Sequence, residues 1–304
     1  MSGMAGGLFW VLLCWMNVAV AEEPAGEPSA GAEPAAEVTR LATSTGLGDR
    51  DLARRFPERA VWLEVEGSDS ELALLEPERQ AVARGAVLLM GDQGQPVASG
   101  LPGAMPSRLA EHGWATLVVG LPQPSLVDES AAGGAAADGA ADPASVMIDV
   151  MSEPAAATHH VAHRERVRSI LAAGEAELSR RGYQRIVFVG VGLAALPVME
   201  AAMGNTGEPG ELVWIAPRFP AAEAEAWPAS LDGLEDWLIL DLANPLVTSP
   251  GYRDRAAVFL RHGLSGYRQQ RLVMSEPVSV RDAPAVVNRL LGWLALTGDG
   301  TDAP

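Results

Sequence analysis

The sequence contains no lysine, and all 22 of its basic residues are arginine. That absence removes Schiff-base chemistry, a phosphate-gripping lysine of the Walker type and a lysine general base. Cysteine is almost as scarce. The one cysteine, Cys14, lies in an amino-terminal segment expected to be cleaved away, so no disulfide, thiolate zinc site or cysteine nucleophile is expected. Positive charge is outnumbered, 22 basic against 39 acidic residues, for a net charge of −17. A surface of that sign repels phosphate backbones and anionic lipid, which excludes nucleic acid as a partner. Beyond Ala21 there is no apolar run of the roughly 20 residues a bilayer crossing needs.

What is present begins with Gly7 to Ala21, an apolar stretch ending Ala19-Val20-Ala21 before Glu22-Glu23-Pro24. Small residues three and one positions before the break mark a signal-peptidase site after Ala21. As a helix this stretch would reach only about 22 Å, short of a bilayer core of roughly 30 Å. Residues 1–21 are therefore read as a signal peptide and the protein as exported to the periplasm. The alternative is a retained anchor, because Met1 to Gly6 carries no basic side chain. A lipoprotein site fails on the bulk of Leu13 before Cys14.

Residues 22–48 are expected to form a disordered acidic lead-in, since Glu22 to Glu37 is built almost wholly of Glu, Pro, Ala, Gly and Ser. A similar patch, Asp128 to Pro143, marks a low-complexity insertion at about 125–155 inside one domain spanning 49–298. At 304 residues and 48% hydrophobic, the chain can bury a large core.

From Ala60 onward strands alternate with helices. Val61 to Val65 and Leu72 to Leu75 read as a hairpin around Gly67-Ser68-Asp69. Buried strands are expected at Ala86–Met90, Ala115–Val119, Arg185–Val189, Leu212–Ile215, Trp237–Leu240 and Arg271–Met274. Helical spacing covers Pro106 to His112, His159 to Arg180, Leu193 to Met203, Tyr252 to His262 and Ala283 to Leu296. In the second of these, Val161, Val167, Ile170, Leu171 and Leu178 can share one face. In the last, Val286, Val287, Leu290, Leu291 and Leu294 can do so. This alternation predicts an α/β fold of three layers, a mostly parallel sheet with an antiparallel amino-terminal hairpin. Right-handed crossovers then bring the strand ends bearing Gly91, Gly120, Gly190 and Asp241 to one edge, where such sheets bind ligands.

Gly190-Val191-Gly192-Leu193-Ala194 carries a resemblance. A hairpin followed by a strand–helix series resembles the α/β-hydrolase fold, whose nucleophile elbow reads G-x-S-x-G or G-x-S-x-A between a buried strand and a helix. Here Gly192 stands where the serine would be, so the elbow Gly190, Gly192, Ala194 keeps its spacing and lacks its nucleophile. The resemblance implies an oxyanion-hole amide after the first parallel strand, where Met90-Gly91-Asp92-Gln93 has no histidine and places a carboxylate near the hole. It implies a triad acid at Asp241. It also implies a histidine after Met274, where the chain has Ser275-Glu276-Pro277 and no later His. Gly113-Trp114-Ala115-Thr116-Leu117, Leu121-Pro122, Tyr267-Arg268-Gln269 and Arg289 to Leu294, in this order, are similar to an uncharacterised family of exported α/β-hydrolase-like proteins of Gram-negative bacteria, known as a domain of unknown function.

Other candidates carry less. His159 and His163 are four apart on a helix and can hold two metal ligands, but spacing fixes no third. The bland reading is a solvated helix start. His262 ends a helix, where its charge suits the dipole. Gly190, Gly192 and Ala195 mimic a dinucleotide loop but lie too far along the chain, with no acidic residue at the usual distance. Trp114, Trp214, Trp237 and Trp293 are read as packing.

Asp92, Gln93, Asp241 and Asn244 are expected to meet beside Gly192 and Leu193, as a small polar binding site or as helix caps. The combined expectation is a catalytically silent envelope module that needs no cofactor and binds an unknown small molecule or envelope protein. The alternative is an ester or amide hydrolase with a non-standard nucleophile. Hydroxyls for it are few: Ser99 is the first after Ala86, and Ser275 sits at the histidine position.

Overall fold

The computed structural model describes residues 48–66, 70–123, 153–206, 209–219, 233–247 and 255–298, with only the backbone course for 153–160 and 205–206. The expected signal peptide, nearly all of the lead-in, the hairpin turn Gly67-Ser68-Asp69 and most of the expected insertion lie outside the described residues. Eight strands form one sheet in the order β1-β2-β4-β3-β5-β6-β7-β8. β1 (Ala60–Leu63) and β2 (Glu71–Glu76) pair antiparallel, and β2 pairs antiparallel with β4 (Trp114–Val119). β3 (Gly85–Met90), β5 (Ile186–Val191), β6 (Glu211–Ile215), β7 (Leu238–Ala243) and β8 (Tyr267–Arg271) continue from β4 in parallel. The expected mixed sheet with its antiparallel hairpin is the one observed.

Alternation along the strands divides the core between the two faces. Ala86, Leu88 and Met90 of β3 join one cluster with α4 (Glu153–Arg180), α5 (Ala195–Thr206) and α6 (Arg255–Arg261). Val87 and Leu89 join the other with α1 (Asp49–Arg55), α2 (Gly100–Ala104), α3 (Pro106–Ala110) and α7 (Ala283–Gly298). β3 and β4 are buried throughout, as a central strand covered on both sides must be. All four tryptophans read as packing are buried.

Four expectations need correction. The last strand is the polar Tyr267–Arg271 and not the apolar Arg271–Met274. β8 is an edge strand, so one side of it needs no apolar cover, while Met274 is buried in the loop beyond it. Val161 is 56% exposed, whereas Val167, Ile170, Leu171 and Leu178 are buried, so the apolar stripe of α4 starts later than its spacing suggested. β7 runs three residues past Leu240, which puts Asp241 inside a strand rather than after it. Residues 153–155, expected within the insertion, follow the course of α4.

Candidate functional site

The strand β5 ends at Val191 in extended conformation, and Gly192 then turns to φ +59°. A single 3-10 turn, Gly192–Ala194, leads directly into α5. A positive φ is cheap only for glycine. Gly190 is required for a different reason: a Cβ there would lie 2.8 Å from the Ala194 carbonyl oxygen. Strand, left-handed turn and tightly packed helix reproduce the shape of the elbow that the sequence resembles, with no side chain at the turn itself.

The space a nucleophile would occupy is filled. A Cβ built on Gly192 would fall 2.3 Å from Oδ2 and 2.5 Å from Oδ1 of Asp92. Asp92 follows β3 and is 6% exposed. Its Oδ1 accepts the backbone N–H of Leu193 at 2.9 Å and its own neighbour's N–H, Gln93, also at 2.9 Å. The residue after the nucleophile and the loop after β3 are the two sources of oxyanion-hole amides in this fold. The chain's own carboxylate takes the amide of Leu193, which follows the turn, and one amide of the loop after β3, that of Gln93.

Arg218 completes the arrangement, donating from Nη2 to Asp92 Oδ2 at 2.5 Å. Its backbone N–H donates to the Gly192 carbonyl at 2.9 Å. Between β6 and Arg218 lies Ala216, whose φ of +45° is left-handed. A non-glycine residue in that region costs about 1–2 kcal/mol, and here it carries the chain back over the elbow. Sequence reasoning missed Arg218. The available signal was that an acid beside an elbow needs a counter-ion, and Arg218 is the first cation after a strand ending at that edge.

Asp92, Gln93, Gln95, Gly192, Arg218 and Asn244 line one cavity of about 480 Å³, closed on the far side by the loop Ser275–Val278. Three of the four residues expected to meet there, Asp92, Gln93 and Asn244, thus lie together. Asn244 acts as a clasp: Nδ2 donates to the Met274 carbonyl at 2.9 Å, and Oδ1 accepts the Leu246 N–H at 3.2 Å. Leu193 contributes its amide to Asp92 but does not line the cavity.

Asp241 is elsewhere. Its fully buried carboxylate points to the opposite face of the sheet, among the residues packed with α6. It accepts from Arg255 Nε at 3.0 Å, Tyr267 Oη at 2.7 Å and Gln269 Nε2 at 2.9 Å. Burial, and then the Asp241 carboxylate, push the Tyr267 phenol far above its usual range, so it stays a donor. The strand parity of β7 decides this: had the strand ended at Leu240, Asp241 would be free to turn toward the elbow.

Ser275, at the position expected for histidine, lines the cavity. Its hydroxyl donates to Asp282 Oδ2 at 2.5 Å and lies 2.9 Å from Ser279 Oγ. Burial alone would raise the Asp282 carboxyl, but the hydrogen bonds from Ser275 and Ser279 outweigh it and hold it below the usual value. Ser99 is turned to the Pro96 carbonyl at 3.2 Å and does not line the cavity. His163 lies on α4 and His262 just past α6, both away from the cavity; of the side chain of His159 nothing is described. Among the described residues no group of three or more His, Cys, Asp or Glu is placed to hold a metal. No described helix is long and apolar enough to cross a membrane.

A family model described as "Protein of unknown function (DUF3530)" matches residues 8–296. No match is found among curated proteins. Among solved structures, Est1E from Butyrivibrio proteoclasticus is similar at TM-score 0.50 and 12% identity, over 78% of this chain and 99% of that one. The same protein with ferulic acid bound gives TM-score 0.50 and 11% identity, over 78% and 100%. The esterase domain of a Rhodothermus marinus protein gives TM-score 0.49 and 11% identity, over 77% and 96%. At such identity the likeness to Est1E shows a shared fold, that of the α/β-hydrolases.

Proposed function

We propose that this chain, which belongs to the DUF3530 family of unknown function, is a catalytically silent α/β-hydrolase relative that binds its ligand in the cavity beside Gly192. The observation that carries this reading is the position of Asp92. Acyl transfer in this fold needs an attacking hydroxyl and two free amides to receive the developing oxyanion. Here the elbow hydroxyl is absent, and a carboxylate ion-paired with Arg218 holds the Leu193 amide and one amide of the loop after β3. A carboxylate that occupies those donors competes with the oxyanion the reaction must build. The same groups leave a preformed cavity, with a few polar groups on its wall, of a size that suits a small ligand.

Export to the periplasm belongs to the proposal and rests on the apolar stretch ending at Ala21. A small molecule or another envelope protein fits that address. Hydrolysis of p-nitrophenyl acetate by the purified protein tests the reading. The expected rate equals that of buffer; saturable turnover overturns it.

A second reading has one observation in its favour. The Ser275 hydroxyl lines the cavity and contacts the Asp282 carboxylate, which is a nucleophile–base contact in form. A carboxylate held below its usual value is, however, a poor base. Any turnover that disappears in Ser275→Ala would favour this reading.

A further inference from the structure

Resting on the binding-site reading above, we propose that the cavity takes a small organic ammonium ligand, its cation held by the carboxylate of Glu276. The cavity is lined by three charged side chains, Asp92, Arg218 and Glu276. Asp92 and Arg218 neutralise each other across their 2.5 Å contact. Glu276 sits on the exposed loop after β8 and has no ion-pair partner among the described residues. Among the described residues, one negative charge is therefore left unbalanced in the cavity wall.

The neutral polar groups point the same way. The Asn244 amide is spent on Met274 and the Ser275 hydroxyl on Asp282. Gln95 is different: its Nε2 lies 3.5 Å from the Val278 carbonyl, while its buried Oε1 has no hydrogen-bond partner. Glu276 and the buried Gln95 oxygen are thus unspent acceptors, beside the Gln93 amide, which offers both a donor and an acceptor, and the outer N–H groups of the Arg218 guanidinium. An alkylammonium ion supplies three donors and a compact charge, with Val247, Pro277 and Val278 offering apolar wall to its chain. A carboxylate ligand would meet Glu276, and the described lining cation, Arg218, already shares its charge with Asp92. At long range the net charge of −17 enriches cations around the molecule and depletes anions, an effect that added salt weakens.

Three isosteric probes separate these terms: n-butylammonium, n-butanol and butyrate, each titrated into the protein at 150 mM salt with backbone amide NMR shifts as readout. Butylammonium is expected to shift the amides of Gln93, Gly192 and Glu276, and to bind most tightly of the three. In Glu276→Gln, a substitution on an exposed loop, its affinity should fall about fivefold, the size of one exposed ion pair. Equal or tighter binding of butyrate overturns the proposal, as does binding of none of the three. Ammonium binding unchanged in Glu276→Gln overturns it too, since it would then be diffuse attraction to an acidic surface. Butanol binding as tightly as the amine removes the ammonium class while the binding-site reading stands. Ester turnover with Glu276-dependent amine binding would do the reverse.

Discussion

Adding one methyl group at Gly192 tests the geometry of the elbow. In Gly192→Ala the new Cβ must enter space within 2.3–2.5 Å of the Asp92 carboxylate atoms, so that carboxylate has to leave. Two costs follow. A left-handed alanine costs about 1–2 kcal/mol relative to glycine. Expelling the carboxylate loses charge-assisted hydrogen bonds, of which the one from Leu193 alone is worth about 1.5–3 kcal/mol after solvation is counted. The sum is about 3–5 kcal/mol, a drop in Tm on the order of 10 °C for a domain of this size. In the background Asp92→Gly the second cost vanishes, because the space is already empty. Arg218 is 40% exposed and reaches water there. The same alanine should then cost only about 1–2 kcal/mol. Urea unfolding of the four proteins gives the coupling directly, expected at about 2–3 kcal/mol. Coupling below about 0.5 kcal/mol, the additivity limit for independent sites, would refute the claim that Asp92 fills the nucleophile's space.

Relieving the left-handed strain by Ala216→Gly should raise stability by about 1 kcal/mol, read as a higher urea midpoint at unchanged slope. Asp241→Ala leaves Arg255, 3% exposed, as an uncompensated buried charge and should cost about 3–5 kcal/mol while leaving butylammonium shifts at Gln93 in place. Burial raises the Glu175 carboxyl above its usual 4.5, so the folded chain binds that proton more tightly than the unfolded one. Stability from this group is present below pH 4.5 and lost as pH rises through the raised value. Glu175→Gln should therefore be more stable than the parent at pH 7, and the gain should shrink toward pH 4.

Much of this architecture is legible in the sequence because it follows from short-range pattern. The continuous apolar runs at Ala86–Met90 and Ala115–Val119 announce buried parallel strands, and Gly190-Val191-Gly192 announces the turn. The failures share one physical cause: exposure and strand parity depend on neighbours distant in the chain. Tyr267–Arg271 does not resemble a strand until it is known to be the sheet's edge, with its Tyr267 and Gln269 turned onto a buried acid. A strand that ends at Leu240 puts Asp241 beside the elbow, whereas β7 runs on to Ala243 and turns it to the other face. The residues of the site proper were visible one at a time. Asp92 and Leu193 stand 101 positions apart, and Asp92 and Arg218 stand 126 apart. No local signal says that the Asp92 carboxylate accepts the Leu193 amide or pairs with Arg218. Arg218 was overlooked because Ala216 adopts a left-handed turn that its residue type does not advertise.

The central claim is chemical inertness at a retained hydrolase elbow. Intact-mass spectrometry after incubation with an alkyl fluorophosphonate addresses it most directly, since that reagent marks any activated serine without needing the right substrate. The account predicts an unshifted mass at full recovery of folded protein. A stoichiometric phosphonyl adduct on a cavity serine, Ser275 above all, would contradict it.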